Sequence, residues 1–165
     1  MAATVLLVMG VAGAGKSTLG AALAERLGWA FLEADDLHPP ANVEKMRAGV
    51  PLDDADRAPW LAAVGRFIDG WAVEGRPGVV ACSALKRAYR DTLRAAHPHL
   101  RLVYVATDET LAHIRVGRRA DHYYPASLVP SQFAALEPPA ADEDAITVDA
   151  AQPTEAQVVA TLAAL

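Results

Sequence analysis

Residues Gly10–Ser17 read GVAGAGKS, the spacing G-x-x-x-x-G-K-[ST], and residues of these types in this order cradle phosphate. The glycines let successive backbone N–H groups turn inward around phosphate oxygens, and a following helix adds its partial positive N-terminus. Lys16 then reaches the β- and γ-phosphates, and the Ser17 hydroxyl ligates Mg²⁺. Gly10, Val11, Ala12, Gly13, Ala14 and Gly15 line the loop, with Thr18 just inside the helix, and all are candidate nucleotide contacts. The apolar run Thr4–Met9 precedes the loop and a helix-like stretch follows it, the context that separates a phosphate site from a chance glycine-rich turn.

A second set of candidates lies in Glu33-Ala34-Asp35-Asp36-Leu37-His38-Pro39. Residues two apart on a strand share a face, so Glu33 and Asp35 are expected to project together from a strand's carboxyl end. An open α/β sheet binds its ligands at that end. Glu33 is assigned to a Mg²⁺-bound water, and Asp35 to orienting, or deprotonating, an attacking hydroxyl. Asp36 is read as capping the next helix and solvating a loop. A guanine-reading Asn-Lys-x-Asp signature is missing, because the only asparagine is Asn42. No apolar-apolar-Asp ending closes the run Gly78–Cys82, where Ser83 follows instead. These absences argue against a GTPase switch and a motor ATPase, and favour a small-molecule kinase.

The elements that must hold these residues follow from the pattern. The chain has 165 residues, 53% of them hydrophobic, enough for one core and one domain over 1–165. Its net charge of −5 supplies no basic field, so nucleic acid is not an expected partner. Cys82 is the only cysteine and reads as a buried small hydrophobe in a reducing compartment. No apolar stretch approaches the roughly 18–20 residues needed to span a bilayer, and a cytoplasmic protein is expected. Strands are expected at Thr4–Met9, Trp29–Leu32, Gly78–Cys82, Arg101–Ala106 and Ala145–Val148. Helices are expected at Lys16–Leu27, Asn42–Ala48, Arg57–Val73, Lys86–Ala96, Glu109–Arg118, Ser131–Leu136 and Thr154–Ala164, with Asp108 and Thr154 as N-caps. Such alternation predicts an α/β fold with a parallel sheet and helical crossovers. Glu137–Asp144 reads as a surface loop.

Several segments together resemble the gluconate kinases of the shikimate-kinase-like group. They are DDLHP (35–39), NVEKM (42–46), GVPLDDADRAPWL (49–61), CSALKRAYRD (82–91), and SQF (131–133) with EPP (137–139). The likeness runs in order along nearly the whole chain. It implies a three-layer P-loop kinase fold with five parallel strands in the order 2-3-1-4-5, and ATP-dependent phosphorylation of D-gluconate at its 6-hydroxyl. A homodimer is implied as well.

Gluconate is a polyol ending in a carboxylate, so its site needs one fixed cation and several neutral hydrogen-bonding groups. Arg57 is the candidate cation, because its planar fork binds a carboxylate bidentately. Pairing with Asp53, Asp54 or Asp56 is the alternative, and the family likeness favours substrate. His38 either donates to the substrate or serves the His-Pro-Pro turn structurally. Ser83 and Lys86 follow the third strand on the ligand side, and Lys86 suggests a point-charge contact where surface solvation is the alternative. Trp60 and Tyr89 read as packing residues and Lys45 as an exposed helix charge. A water-excluding lid is expected over about 115–125, with Arg115 and Arg119 on one helical face, reaching over the β- and γ-phosphates. Two departures from the family stand out: Asp121 replaces a glycine in the lid, and Glu33 replaces an aspartate. The rival reading is a nucleotide-gated binding module, which would not need Asp35.

Overall fold

The computed structural model describes residues 4–119 and 123–165. Strand β1 (Val5–Met9) is buried along its whole length and pairs in parallel with β3 (Gly78–Ala81) on one side and β4 (Leu100–Ala106) on the other. The edges are β2 (Ala30–Glu33), beside β3, and β5 (Ile146–Asp149), beside β4. The sheet order is therefore β2-β3-β1-β4-β5, the order that the family resemblance implies.

A central strand buried on both faces must be apolar at every position, and its alternate residues feed two separate cores. Leu6 and Val8 pack with Leu19, Leu23 and Ala24 of α1 (Lys16–Leu27), Ala112 and Val116 of α5 (Glu109–Gly117), and Val158 of α7 (Thr154–Ala163). Val5, Leu7 and Met9 pack with Trp60, Val64 and Ile68 of α3 (Asp54–Glu74) and Leu93 of α4 (Arg87–Ala96). A third, smaller cluster joins Met46 of α2 (Pro40–Arg47) to Leu52 and Leu128, just before α6 (Val129–Ala135). It lies beyond the sheet, against Tyr123 and Tyr124.

Where the elements differ from expectation, local chemistry explains it. Helix α3 begins three residues early because Asp53 and Asp56 form a reciprocal capping box, each carboxylate accepting the other's backbone N–H. Asp108 caps α5 as expected, accepting from the Leu111 N–H. Thr154 does not cap α7: Pro153 precedes the helix and Thr154 is its first residue. Asp36 does not cap α2, whose N-cap is Pro39; it lies in a 3₁₀ turn over Ala34–Leu37.

The segment 137–144 is more than a surface loop. Glu143 is 2% exposed, and its carboxylate meets the buried Arg90 guanidinium through bonds of 2.7 and 3.0 Å. Arg90 also donates to the Ala84 and Leu85 carbonyls at 3.0 and 3.1 Å, holding the turn where Ala84 takes a positive φ of 42°. The Arg90 bonds keep the Glu143 carboxyl below the usual carboxylate range. That stabilisation is complete above the pKa of an unfolded glutamate and is lost as pH falls through the folded value. Glu143→Ala strands a buried cation, so it should cost about 3–5 kcal/mol in urea unfolding. The variant should also lack this component of the wild type's acid-induced loss of stability.

Candidate active site

The carboxyl ends of β1, β2 and β3 converge beside the point where the strand order reverses, the position at which open α/β sheets bind ligands. The loop after β1 is anchored from several directions. Gly10 N–H donates to the Ser83 carbonyl at 3.3 Å, and Ala12 N–H donates to Gln132 Oε1 at 3.1 Å. Gly13 has φ +83°, and a Cβ there would lie 2.5 Å from the Ala112 carbonyl oxygen. Only glycine permits α5 to press so closely against the loop. Gly15, at φ +94°, turns the chain into α1.

Lys16 is 8% exposed and folds back so that Nζ donates to the Val11 carbonyl at 3.0 Å. Burial pushes its ammonium below the usual lysine range, while the nearby Asp35 and Glu33 carboxylates pull it up. The Ser17 hydroxyl donates to Glu33 Oε2, which brings a hydroxyl and a carboxylate together beside the phosphate loop. Burial raises the Glu33 carboxyl above its usual range, and the Ser17 bond opposes that shift. A hydroxyl and a carboxylate side by side suit Mg²⁺, which keeps several waters and takes few protein ligands.

Asp35 does not share a strand face with Glu33. The strand ends at Glu33, and Asp35 lies in the following 3₁₀ turn, its N–H donating to Glu33 Oε1 at 3.4 Å. The turn, not strand alternation, brings the two acids to one place. Asp35 lines a pocket with Lys16, Ser17, His38, Arg57 and Ser83. The His38 ring stacks on Trp60, with centroids 4.4 Å apart and planes 11° from parallel, and Trp60 Nε1 donates to the Ala34 carbonyl at 2.7 Å.

Arg57 is 9% exposed and donates to the Tyr89 hydroxyl at 3.2 Å. Among the described residues no carboxylate forms an ion pair with it; Asp56 instead pairs with Lys45 at 2.6 Å, so Lys45 is not a bare surface charge. Lys86 does not line the pocket and pairs with Asp54 at 2.8 Å. Tyr89, whose hydroxyl donates to that same Asp54, links the pair to Arg57.

The expected common face for Arg115 and Arg119 does not form, because α5 ends at Gly117. Arg115 donates to the Ala14 carbonyl at 3.2 Å and the Ala150 carbonyl at 2.8 Å, tying the phosphate loop to the segment after β5. Arg119 lies beyond the helix. Among the described residues it alone lines both the Asp35 pocket and a second cleft of about 450 Å³, bounded by Gly13–Gly15, Arg115 and the 151–157 segment. Ala120, Asp121 and His122 of the expected lid lie outside the described residues, so the Asp121 departure has no structural counterpart here. Tyr123 and Tyr124, on the far side, line the pocket.

Sequence reasoning missed Asn42, Gln132 and the tyrosines as site components. Asn42 sits four residues after His38 and is 5% exposed, but its burial and its bond to the Asp56 carbonyl arise only from the fold. Gln132 lay within a quoted motif, but nothing in its spacing tied it to a loop 120 residues away.

A strand, a glycine loop with an invaginated lysine, and an adjoining acid-lined pocket define a P-loop kinase. Residues 5–139 match a family model described as an AAA domain. The chain is 51% identical over 143 residues to the gluconokinase of Gluconobacter oxydans (strain 621H), covering 87% of this chain and 80% of that protein. A crystal structure of a gluconokinase from Sinorhizobium meliloti 1021 superposes with a TM-score of 0.86 at 44% identity, covering 98% of this chain and 90% of that one. An unliganded sugar kinase from Janibacter sp. HTCC2649 superposes with a TM-score of 0.92 at 38% identity, with coverages of 98% and 93%. The chain belongs to the gluconokinase family, whose P-loop implies use of ATP.

The approach of α5 to the loop is testable. Gly13→Ala combines a left-handed backbone, costing about 1–2 kcal/mol for a non-glycine residue, with a steric clash. It should weaken binding of a non-hydrolysable ATP analogue by about tenfold or more, measured by calorimetry.

Proposed function

We propose that the protein transfers the γ-phosphoryl group of ATP to the 6-hydroxyl of D-gluconate, giving 6-phospho-D-gluconate and ADP. The observation that carries this reading is that Lys16, Asp35 and Arg57 line one pocket: a phosphate cation, a carboxylate and a buried guanidinium. A sugar acid spans such a pocket with its carboxylate on Arg57 and its far hydroxyl at Asp35.

The triphosphate lies along the N–H groups of Gly10–Thr18, with the nucleoside in the cleft beside Arg115 and the 151–157 segment. That cleft, at about 450 Å³, is within the usual range of about 300–1,000 Å³ for small-molecule sites. Ser17 and, through water, Glu33 would hold Mg²⁺, which would supply neutralising charge to the triphosphate. Lys16 leaves the Val11 carbonyl for phosphate oxygen. In the transfer, a bond forms between the acceptor oxygen and the γ-phosphorus as the bond to the bridging oxygen breaks. The hydroxyl proton passes to Asp35 and ADP departs. Arg119, at the junction of the two clefts, stabilises the charge of the moving phosphoryl group, as arginine fingers do. His38 and Ser83 contact the acceptor; Lys86 acts indirectly, through Asp54 and Tyr89.

The whole chain forms one kinase domain, with 115–125 as its lid. Within that stretch, Arg119, Tyr123 and Tyr124 line the acceptor pocket. Among the described residues no helix is long and apolar enough to cross a membrane. Cytoplasmic residence and a homodimer complete the reading.

Steady-state assays with ATP, Mg²⁺ and a panel of sugar acids test it, with gluconate expected as the preferred acceptor. Activity confined to shikimate or a nucleoside would refute the assignment. Asp35→Asn should lower kcat by about 10²–10⁴-fold while ATP affinity holds; a binding module would show an unchanged ligand response. Arg57→Met should raise the KM for gluconate by about 10–150-fold, the equivalent of a lost charge-assisted hydrogen bond, and leave the KM for ATP alone. Arg119→Ala should lower turnover far more than ATP affinity.

A further inference from the structure

His38 is set apart from the other pocket residues by how completely its ring is fixed. Its side chain is 6% exposed, one face lies on Trp60, and both ring nitrogens have identified neighbours. Nδ1 lies 3.3 Å from Asn42 Nδ2, and Nε2 lies 3.9 Å from Asp35 Oδ1.

The protonation pattern follows from a backbone carbonyl. Asn42 Nδ2 also lies 2.9 Å from the Asp56 carbonyl oxygen. A carbonyl only accepts, so the amide must present its NH₂ group there, and a flipped amide would set oxygen against oxygen. The same NH₂ group faces His38 Nδ1, which must then be the unprotonated, accepting nitrogen. In the neutral ring the proton is left on Nε2, pointing toward Asp35 and the pocket. Burial supports the neutral form, lowering the imidazole pKa against the opposing pull of Asp35.

The 3.9 Å between Nε2 and Oδ1 is too long for a hydrogen bond and suits an inserted oxygen. An oxygen about 2.8 Å from each atom would subtend an angle of about 90° between them. We infer that Asn42 locks His38 in the Nε2–H tautomer, and that this N–H together with the Asp35 carboxylate fixes the rotor of the acceptor's reacting hydroxyl. The hydroxyl donates to Asp35 and accepts from His38, which leaves its second lone pair for the phosphorus. His38 contacts the substrate, and Asn42 is a positioning residue that acts through it. The inference rests on reading this pocket as the phosphoryl-acceptor site.

Long-range ¹H–¹⁵N correlation spectra of the ligand-free protein, with His38 assigned from His38→Gln, test the tautomer without any assay of activity. The expected pattern is a pyrrole-like Nε2 and a pyridine-like Nδ1 at neutral pH. An Nδ1–H tautomer or an imidazolium would overturn the inference. Asn42→Asp, whose carboxylate can only accept, should reverse the pattern; an unchanged tautomer would show that Asn42 does not set it. Two substitutions then test the hydroxyl contact independently of how Asn42→Asp folds. His38→Gln places an amide N–H near the Nε2 position and should retain kcat/KM for the acceptor within about tenfold. His38→Asn reaches only the Nδ1 position and should lose about 100-fold, the scale of a misplaced reacting group, with the KM for ATP unchanged. Equal losses in the two variants would overturn the contact. If gluconate is not the acceptor, the spectra and the same comparison on the true alcohol still decide the inference.

Discussion

The site depends on a phosphate loop whose backbone is held from outside itself. A loop that aims N–H groups at an anion cannot satisfy them internally, so its shape must be imposed by its neighbours. Here the Ser83 carbonyl, the Gln132 amide, the Arg115 guanidinium and the α5 backbone each hold a different point of the loop. These anchors come from three separate stretches of chain: the turn after β3, helix α5 and helix α6. The folded sheet and its crossovers bring them to one place, and the loop keeps its form because the fold does.

The Arg90–Glu143 pair extends the same logic one layer outward. Arg90 fixes the Ala84 and Leu85 carbonyls, Ser83 holds Gly10, and Leu85 accepts from the Glu137 N–H at 2.8 Å. The Glu137 carboxylate in turn accepts from the Arg87 N–H at 3.0 Å. The CSALKR and EPP segments, about fifty residues apart, are therefore two halves of one hydrogen-bonded clasp behind the loop. A buried ion pair is weak evidence for stability in general; here both partners also satisfy backbone groups, and its role is to set the position of a turn.

The strands, the helices and the phosphate loop were legible because each announces itself locally. β1 is apolar throughout since both its faces are covered, and α1 begins where the glycines end. The start of α3 was missed because a reciprocal carboxylate box looks, residue by residue, like a run of surface acids. The acids Glu33 and Asp35 were found for a reason that does not hold: they meet through a 3₁₀ turn and not through strand alternation. The shared helical face expected of Arg115 and Arg119 failed because helix periodicity was extended past Gly117, where the helix stops. Asn42 and Gln132 were invisible because their partners lie far away in sequence or belong to the backbone, and no spacing rule reports such pairings.

The chain supplies its two clefts from different regions. On the proposed reading, the acceptor side draws on 35–60, Ser83 and 123–132, and the nucleotide side on α5 and the 151–157 segment, with the phosphate loop between them and Arg119 at the seam. On that reading, a lineage descended from this scaffold can exchange one alcohol for another by altering 35–60 and 123–132, leaving intact the apparatus that handles the phosphate donor. Read so, the chain's layout lets acceptors diversify around a constant donor.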